Sequence, residues 1–311
     1  MAVALQLCPL SPFLEDALSE RFEVARWFEL DEAARNALLQ ARAGEVVAVV
    51  TGGHIGCPSP LMEALPSLGV VAINGVGYDK VELELARSRN VRVTTTPGTL
   101  TEDVADLAVG LIIALLRQIP AGDAHVRTGL WPAAERPLAR KVSGRRFGIL
   151  GLGAIGGAIA ARLAAFGPLA YTSRTPKPVP YDFHPNVAAL ARASDVLVVA
   201  CAATPATRHL VDEAVLEALG PHGWLVNVSR GSVVDEAALV TALEAGRIGG
   251  AALDVFESEP HAPEAVKASP RTVLTPHIAS ATVETRQAMA ELVLTNLDAF
   301  LRGERPPSSV A

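Results

Sequence analysis

The chain has 311 residues, half of them hydrophobic, with a net charge of -6 at pH 7 and an isoelectric point near 5.7. This length and apolar content suffice for two domains with cores of their own and exclude a disordered chain. The acidic balance, without a cluster of lysines and arginines, argues against nucleic acid or an anionic membrane as a partner and favours a small molecule.

The first hundred residues alternate short β-rich runs with stretches of helix-like sequence. The runs are VALQL, EVVAVV, GVVAING and VRVTTT. Such alternation predicts an α/β fold with a parallel sheet and helices on both faces.

A long helix is predicted over TLTEDVADLAVGLIIALLRQI, because a Thr-Glu-Asp start precedes unbroken apolar rows. Its most apolar part is too short to cross a membrane and contains Asp106, and the N-terminus lacks the basic start of a signal peptide. We therefore expect a soluble, cytoplasmic protein. The following stretch, AHVRTGLWPAAERPLARKVSG, has little periodicity and is interpreted as an extended arm that covers a partner subunit.

A second series of β-rich runs predicts a larger α/β unit: RRFGILGLG, PLAYTS, DVLVVAC, GWLVNVS, GGAALDV and TVLTPHI. A closing helix, TVETRQAMAELVLTNLDAFLRG, ends at Gly303 and is expected to return to the first unit. The resulting expectation is two Rossmann-like domains with parallel sheets. Residues 1–98 and 283–311 form a discontinuous substrate (catalytic) domain, and residues 99–282 form an inserted dinucleotide-binding domain.

The three cysteines, Cys8, Cys57 and Cys201, stand far apart and form no CxxC pair. No histidine lies near them at the spacing of a zinc site. We expect reduced, buried thiols and no metal.

The stretch FGILGLGAIGGAIAARLAAFG contains Gly151, Gly153 and Gly156 in the GxGxxG spacing, between a predicted strand and a predicted helix. The first glycine makes a tight turn, the second lets the backbone approach a diphosphate, and the third lets helix and strand pack closely. The diphosphate then lies at the positive end of the helix. The alternative is that these glycines serve packing alone.

Ser173, Arg174 and Thr175 follow the next strand, PLAYTS, where NAD-preferring folds carry an Asp or Glu for the adenosine ribose. A guanidinium pairs with the 2'-phosphate of NADP, which a carboxylate repels, and the two hydroxyls are further donors. The residues therefore predict NADP(H) as the cofactor. A solvated loop arginine is the alternative for Arg174.

Three more polar residues, Arg230, Glu259 and His277, lie at or just after apolar strands. A histidine beside a carboxylate is the usual proton donor near neutral pH, because the negative neighbour favours the imidazolium. Taken singly, His277 is also consistent with a core histidine, Glu259 with a turn carboxylate and Arg230 with a surface ion pair. Their occurrence together favours a catalytic set.

The chain resembles the D-isomer-specific 2-hydroxyacid dehydrogenases over nearly its whole length. The resemblance is carried by NGVGYDKVELELARSRNVRVTTTPG, TEDVADLAVGLIIALLR, GILGLGAIG, NVSRGSVVDEAALVTAL, GAALDVFESEP and TPHIASAT. Within that family it is most similar to the glyoxylate/hydroxypyruvate reductases and the hydroxyphenylpyruvate reductases, in which a serine-arginine pair after the second cofactor strand accompanies NADPH.

The resemblance implies catalytic roles for three residues. Arg230 binds the substrate carboxylate and polarises the keto group, His277 is the acid/base, and Glu259 keeps His277 protonated. Gly53, Gly75, Val76 and Gly77 are the implied substrate-binding positions of the other domain. A substrate contact by His54 is set against a solvated loop histidine, and a contact of Trp131 with a neighbouring subunit against a packing role.

The resemblance also implies a set of cofactor contacts, of which Asp254 binds the nicotinamide carboxamide. The others are Thr101, Gly151, Gly153, Ala154, Ile155, Gly156, Ser173, Arg174, Thr175, Cys201, Ala202, Pro205, Val228 and Ala279. Many family members have glycine where this chain has Ala279, so the methyl group is expected to narrow the pocket near the nicotinamide.

The expected reaction is NADPH-dependent reduction of glyoxylate, hydroxypyruvate or an aryl-pyruvate to the D-2-hydroxy acid, in a homodimer. Two alternatives stay open: an NAD-dependent dehydrogenase of another 2-hydroxy acid, and a non-catalytic regulator that senses a dinucleotide.

Overall fold

The computed structural model describes residues 1–311. It divides into two compact units, the first formed by residues 1–100 and 281–311 and the second by residues 101–280. Each unit contains one sheet in which all strands are parallel. The predicted fold class, α/β with two Rossmann-like domains, is confirmed.

The sheet of the first unit has five strands in the order β2-β1-β3-β4-β5. The strands are β1 (Val3–Gln6), β2 (Glu23–Arg26), β3 (Val46–Gly52), β4 (Val70–Asn74) and β5 (Arg92–Thr94). The helices that accompany them are α1 (Pro12–Ser19), α2 (Glu32–Arg42), α3 (Ser59–Glu63) and α4 (Leu83–Ser88). The central strands β3 and β4 are almost wholly buried because helices cover both faces of a parallel sheet.

The sheet of the second unit has seven strands in the order β12-β11-β10-β9-β6-β7-β8. The strands are β6 (Phe147–Leu150), β7 (Leu169–Thr172), β8 (Asp182–Phe183), β9 (Val196–Val199), β10 (Trp224–Asn227), β11 (Gly250–Leu253) and β12 (Thr272–Leu274). The helices are α5 (Thr101–Arg117), α6 (Ile119–Arg127), α7 (Ala154–Leu163), α8 (Val187–Ala193), α9 (Glu213–Leu219), α10 (Glu236–Glu244) and α11 (Glu264–Ala268). The strand order reverses between β6 and β9, and such a switch point is where ligands bind in open α/β sheets.

The predicted long helix forms as α5 and ends at Arg117, and a further helix, α6, begins at Ile119. Gln118 has φ 52 and ψ 41, in the left-handed region, and breaks the helix between them. Residues 124–127, interpreted from the sequence as the start of the arm, are helical instead, while the chain from 128 to 146 is irregular. No single helix is long and apolar enough to cross a membrane, and α5 and α6 reach that length only together, with a bend of 61°.

The closing helix α12 (Val283–Leu301) belongs to the first unit. Its start is capped by the Thr282 hydroxyl, which accepts a hydrogen bond from the Thr285 N–H, and Gly303 follows its end with φ 73. The helix packs on β4 and α1 through buried residues such as Met289 and Leu297. Both ends of the chain therefore contribute to one core.

Candidate active site

The predicted catalytic and cofactor residues of the second unit follow the carboxyl ends of six adjacent strands. In a parallel sheet these ends meet at one edge, so the residues are brought to one side of the unit. They are Gly151 to Gly156 after β6, Ser173 to Thr175 after β7, Cys201 to Pro205 after β9, Val228 and Arg230 after β10, Asp254 and Glu259 after β11, and His277 and Ala279 after β12. Thr101 is the first residue of α5.

His277 and Glu259 form a hydrogen-bonded pair. Nδ1 of His277 lies 2.7 Å from Oε2 of Glu259. The other carboxylate oxygen, Oε1, accepts a hydrogen bond of 3.1 Å from the N–H of Phe256. Both side chains are partly buried, with exposed fractions of 32% and 23%. The imidazole is thus held at Nδ1, an orientation that suits transfer of a proton through Nε2.

The pKa of Glu259 is lowered from its ordinary value. Burial opposes this by disfavouring the charged form, but the hydrogen bond and charge of His277, the N–H of Phe256 and the charge of Arg230 outweigh it. Glu259 is therefore a carboxylate at neutral pH, and its negative charge is available to stabilise a protonated His277.

Asp254 anchors the loop that carries His277. Its carboxylate is fully buried and accepts hydrogen bonds from the Thr275 hydroxyl at 2.6 Å, the Ile278 N–H at 2.9 Å and the Ala279 N–H at 3.0 Å. Burial raises the pKa of Asp254, and these bonds oppose that rise. The resemblance implied a contact with the nicotinamide carboxamide, and the structure adds this anchoring role.

His277 has φ 54, a left-handed conformation that is uncommon for residues other than glycine. Its N–H donates to the carbonyl of Asp254 at 2.8 Å, so the same aspartate also holds the strained residue through its backbone. The loop from Thr275 to Ala279 is therefore fixed by residue 254 at four points, and the orientation of His277 depends on it.

Arg230 lies in a loop that Asn227 shapes. The Asn227 side chain donates to the carbonyl of Arg230 at 3.0 Å and accepts from the N–H of Ser229 at 3.0 Å. The guanidinium Nη1 donates to the carbonyl of Ser229 at 2.8 Å. The charge of Arg230 contributes to lowering the pKa of Glu259, whose carboxylate is paired with the His277 imidazole.

The glycine-rich turn fits a diphosphate. Gly151 has φ 94, and a Cβ there would lie 2.5 Å from the Cα of Cys201, while a Cβ at Gly156 would lie 2.0 Å from the carbonyl oxygen of Gly151. At Gly153, which precedes α7, a Cβ would meet nothing within 4 Å, and no side chain caps this helix. The N–H groups of the first turn, from Ala154 to Gly156, therefore face room for an anion.

The segment after β7 presents a cation to solvent. Arg174 is exposed, and no carboxylate lies within ion-pair distance of it. The hydroxyl of Ser173 donates to the carbonyl of Thr175 at 2.6 Å, so it shapes the turn around Arg174. Of the three predicted contacts to a 2'-phosphate, the side chains of Arg174 and Thr175 are the exposed ones.

The other predicted cofactor positions differ in exposure. Val228 and Ala279 are buried, whereas Ala202 and Pro205 are exposed and lie next to a turn in which the Thr207 hydroxyl donates to the carbonyl of Ala202 at 2.9 Å. Cys201 is half-buried rather than buried as expected, and its backbone lies close to Gly151 at the turn.

All three thiols are free, and burial raises their pKa values, to about 12 for Cys57 and about 11 for Cys201. A thiol with so high a pKa is a poor nucleophile near neutral pH.

The predicted substrate-binding residues lie in the first unit, at the carboxyl ends of β3 and β4. A Cβ placed on Gly75 would lie 3.5 Å from the backbone nitrogen of Gly53, so the two glycines are neighbours. Gly75, Val76 and Gly77 are half-buried, and Gly53 is buried. The exposed His54 lies over Gly52, where a Cβ would approach its ring to 2.8 Å.

Three residues that the sequence analysis did not single out contact the segment of Glu259. Glu257 accepts hydrogen bonds from His209, at 3.0 Å, and Arg208, at 2.6 Å, and its N–H donates to Glu236 at 2.7 Å. The His209 and Glu257 side chains are 48 residues apart in the chain. No linear motif joins residues at that distance, so the fold alone reveals the contact.

Comparison with known proteins gives consistent matches over nearly the whole chain. A family model described as D-isomer specific 2-hydroxyacid dehydrogenase, NAD binding domain, matches residues 109–279. The chain is 49% identical to glyoxylate/hydroxypyruvate reductase A of Arabidopsis thaliana and 47% identical to hydroxyphenylpyruvate reductase of Plectranthus scutellarioides. Each match covers 96% of this chain and 96% of the relative. It is also similar to the crystal structure of NADPH-dependent glyoxylate/hydroxypyruvate reductase from Sinorhizobium meliloti in complex with NADP and malonate. That match has a TM-score of 0.93 at 44% identity and covers 100% of this chain and 97% of that chain.

Proposed function

The chain belongs to the family of D-isomer-specific 2-hydroxyacid dehydrogenases, and from this membership we propose that it reduces small 2-oxo acids to D-2-hydroxy acids with NADPH. The observation that carries the proposal is the 2.7 Å pair of His277 and Glu259 beside Arg230. Glyoxylate, hydroxypyruvate and aryl-pyruvates are the proposed substrates, in keeping with the names of the relatives.

In the proposed mechanism the chain's own residues bind the acid and move one proton. Arg230 pairs with the substrate carboxylate and polarises the keto oxygen. The reduced nicotinamide, when bound, supplies the hydride that the keto carbon takes up. His277, held at Nδ1 by Glu259, gives its proton from Nε2 to the developing alkoxide, and the charge of Glu259 stabilises the protonated imidazole before transfer.

Each unit is assigned binding residues of its own in this proposal. The second unit holds the dinucleotide: the first turn of α7 takes the diphosphate, and Asp254, whose backbone and side chain fix the His277 loop, is assigned to the nicotinamide end. The first unit holds the substrate carboxylate through backbone N–H groups at Gly75, Val76 and Gly77, with Gly53 beside them. A substitution of Gly75 is therefore expected to raise KM for the acid and to leave KM for NADPH unchanged.

The preference for NADPH is proposed from Arg174. Its guanidinium is exposed and has no carboxylate partner, so it is available for a 2'-phosphate. Charged hydrogen bonds contribute roughly 1.5–3 kcal/mol each. Arg174 alone is therefore expected to shift cofactor preference by about ten- to a hundredfold.

The test is a set of initial rates with NADPH and NADH on glyoxylate, hydroxypyruvate and 4-hydroxyphenylpyruvate, for the wild type and Arg174→Asp. Lys177→Asp is the matched control, because Lys177 is an exposed cation of the same loop. We expect Arg174→Asp to remove the NADPH preference in kcat/KM and Lys177→Asp to leave most of it. Equal or better rates with NADH in the wild type would favour an NAD-dependent dehydrogenase. If the wild type turns over none of the three acids, the result would favour the non-catalytic regulator that senses a dinucleotide.

A further inference from the structure

The loop of Arg230 and the segment of Glu259 pack backbone to backbone. Gly231 follows Arg230 directly, and a Cβ on it would lie 1.9 Å from the carbonyl carbon of Phe256 and 2.2 Å from the nitrogen of Glu257. No side chain fits between these two backbone segments, so a displacement of one segment is transmitted to the other. The relative position of Arg230 and Glu259 therefore depends on what holds this contact closed.

His209 contacts both sides of this junction. Its N–H donates to the carbonyl of Ser232, in the Arg230 loop, at 2.9 Å, and its Nε2 lies 3.0 Å from Oε1 of Glu257, in the Glu259 segment. Its Nδ1 lies 3.8 Å from a carboxylate oxygen of Asp235. His209 also has φ 51, a conformation that non-glycine residues rarely adopt. One residue in an unusual backbone conformation thus ties two active-site loops together.

Glu257 is held from two directions. Its side chain accepts from His209 and from Arg208, and its N–H donates to the carboxylate of Glu236 at 2.7 Å. Glu236 is the first residue of α10, which continues from the Arg230 loop. The segment from Glu257 to Glu259 is therefore attached to its neighbours through both the backbone and the side chain of Glu257.

The carboxylates of Glu236, Glu257 and Glu259 lie near one another, so hydrogen-bond donors are needed to hold Glu257 in place. Burial raises the pKa of Glu236, and the negative charges of Glu257 and Glu259 raise it further. Burial would raise the pKa of Glu257 too, but hydrogen bonds from His209 and Arg208 lower it below its ordinary value. Three carboxylates thus lie close together, and the donors on residues 208 and 209 keep Glu257 ionised and in place.

We propose that His209 and Glu257 are positioning residues for the reaction: their hydrogen bond joins the loop of Arg230 to the segment of Glu259, and so holds the substrate-binding cation and the His277 partner in register. This inference rests on the proposed reductase function for its catalytic readout. His209 and Glu257 act through Arg230 and Glu259 and not by touching the substrate or the cofactor.

The experiment compares His209→Ala with His209→Gln. Both variants place a non-glycine side chain at the same left-handed position, but only glutamine restores an N–H donor toward Glu257. His222→Ala is the matched control, because His222 is an exposed histidine of the same unit that precedes β10, at the opposite edge of the sheet. Glu257→Gln and the double variant with His209→Ala complete a cycle.

For the 2-oxo acid turned over best, we expect His209→Ala to lower kcat/KM with NADPH by roughly ten- to a hundredfold, as misplacement of a catalytic group does. His209→Gln restores most of the rate, and the double variant loses no more than either single variant. His222→Ala keeps the wild-type value. The acid limb of the pH profile moves to higher pH in His209→Ala, because a loosened Glu259 titrates more like a free glutamate. Arg230, Asp254 and Glu236, the other charged groups that face Glu259 or His277, are unchanged in every variant.

A second readout needs no activity. With carboxyl-¹³C glutamate and Glu259→Gln for assignment, the NMR titration of Glu259 is expected to shift upward in His209→Ala and to return in His209→Gln. Unchanged kcat/KM and unchanged titration in folded His209→Ala would overturn the proposal, and so would equal losses in His209→Ala and His209→Gln. If the wild type reduces none of the acids, the reductase function fails while the titration still decides the positioning role. If His209→Ala does not fold, Glu257→Gln decides it by the same two measurements.

Discussion

Among single residues, Glu259 makes stability depend on pH. Its pKa is lowered in the folded protein because, against the effect of burial, the hydrogen bond and charge of His277, the Phe256 N–H and the charge of Arg230 favour the carboxylate. A group whose folded pKa lies below its unfolded value, about 4.3 for glutamate, stabilises the fold above that unfolded pKa. This contribution is lost as the pH falls through the lower, folded pKa.

The variant Glu259→Gln is therefore expected to lower the free energy of unfolding at pH 7 by about 1.5–3 kcal/mol, the usual value of a hydrogen bond to a charged group. The deficit relative to the wild type shrinks as the pH falls below about 4.3. Urea unfolding of both proteins at pH 7, 5, 4 and 3 measures it. A deficit that stays constant over this range would mean that the charge of Glu259 does not contribute.

Among the elements, the start of α7 depends on one glycine and not on its neighbour. A Cβ at Gly156 would lie 2.0 Å from the Gly151 carbonyl oxygen and 3.2 Å from the Ile149 side chain, whereas a Cβ at Gly157 would meet nothing within 4 Å. Because residue 156 has no side chain, the helix packs directly against the backbone of the turn after β6. Gly156→Ala must therefore move the turn, while Gly157→Ala adds only a residue of higher helix propensity.

We expect Gly156→Ala to weaken dinucleotide binding by at least about tenfold, since it displaces the N–H groups of the first turn. Gly157→Ala is expected to bind as the wild type does and to gain up to about 1 kcal/mol of stability. Fluorescence titration with NADPH and urea unfolding measure the two effects. Equal affinity in both variants would show that the turn does not hold the dinucleotide.

The elements that the sequence predicted correctly are those with strong local signals. The strand, GxGxxG turn and helix around Gly151 form as expected, and the closing helix ends before Gly303. The strand β2 was missed because its EVAR sequence lies at an edge of the sheet and is exposed or half-buried, so it lacks the apolar signal of a central strand. The two-residue strand β8 was missed because it lies within a proline-rich loop.

The places of Arg230, Glu259 and His277 in the fold were predictable, and the contacts that support them were not. Arg230, Glu259 and His277 follow apolar strands, and parallel strands bring such positions to one edge. By contrast, the bonds from Asp254 to Thr275, Ile278 and Ala279, and the contact of His209 with Glu257, join residues that no periodicity relates. Those contacts depend on loop conformations with positive φ at His209 and His277, which sequence patterns do not specify for histidine.

For the whole molecule, the arm from residue 128 to 146 is a region that exposes large apolar side chains. Leu130, Trp131 and Leu138 are 52%, 70% and 95% exposed. Large apolar side chains that are this exposed commonly mark an interaction surface. We propose that a second copy of the chain covers the arm, as expected from the sequence, so that the protein is a homodimer.

The double variant Trp131→Ser with Leu138→Ser tests this assembly. Burying one large apolar side chain contributes about 1.5–3 kcal/mol, and a symmetric interface contains each of the two residues twice. The dissociation constant of the dimer is therefore expected to rise by a factor on the order of ten thousand or more. Val283→Ser is the control, because Val283 is 84% exposed but lies in the first turn of α12, in the first unit and not in the arm. Light scattering coupled to size exclusion, over a range of concentrations, should then give a dimer for the wild type and Val283→Ser and a monomer for the double variant. A double variant that dimerises as tightly as the wild type would place the interface elsewhere and leave Trp131 with a local packing role.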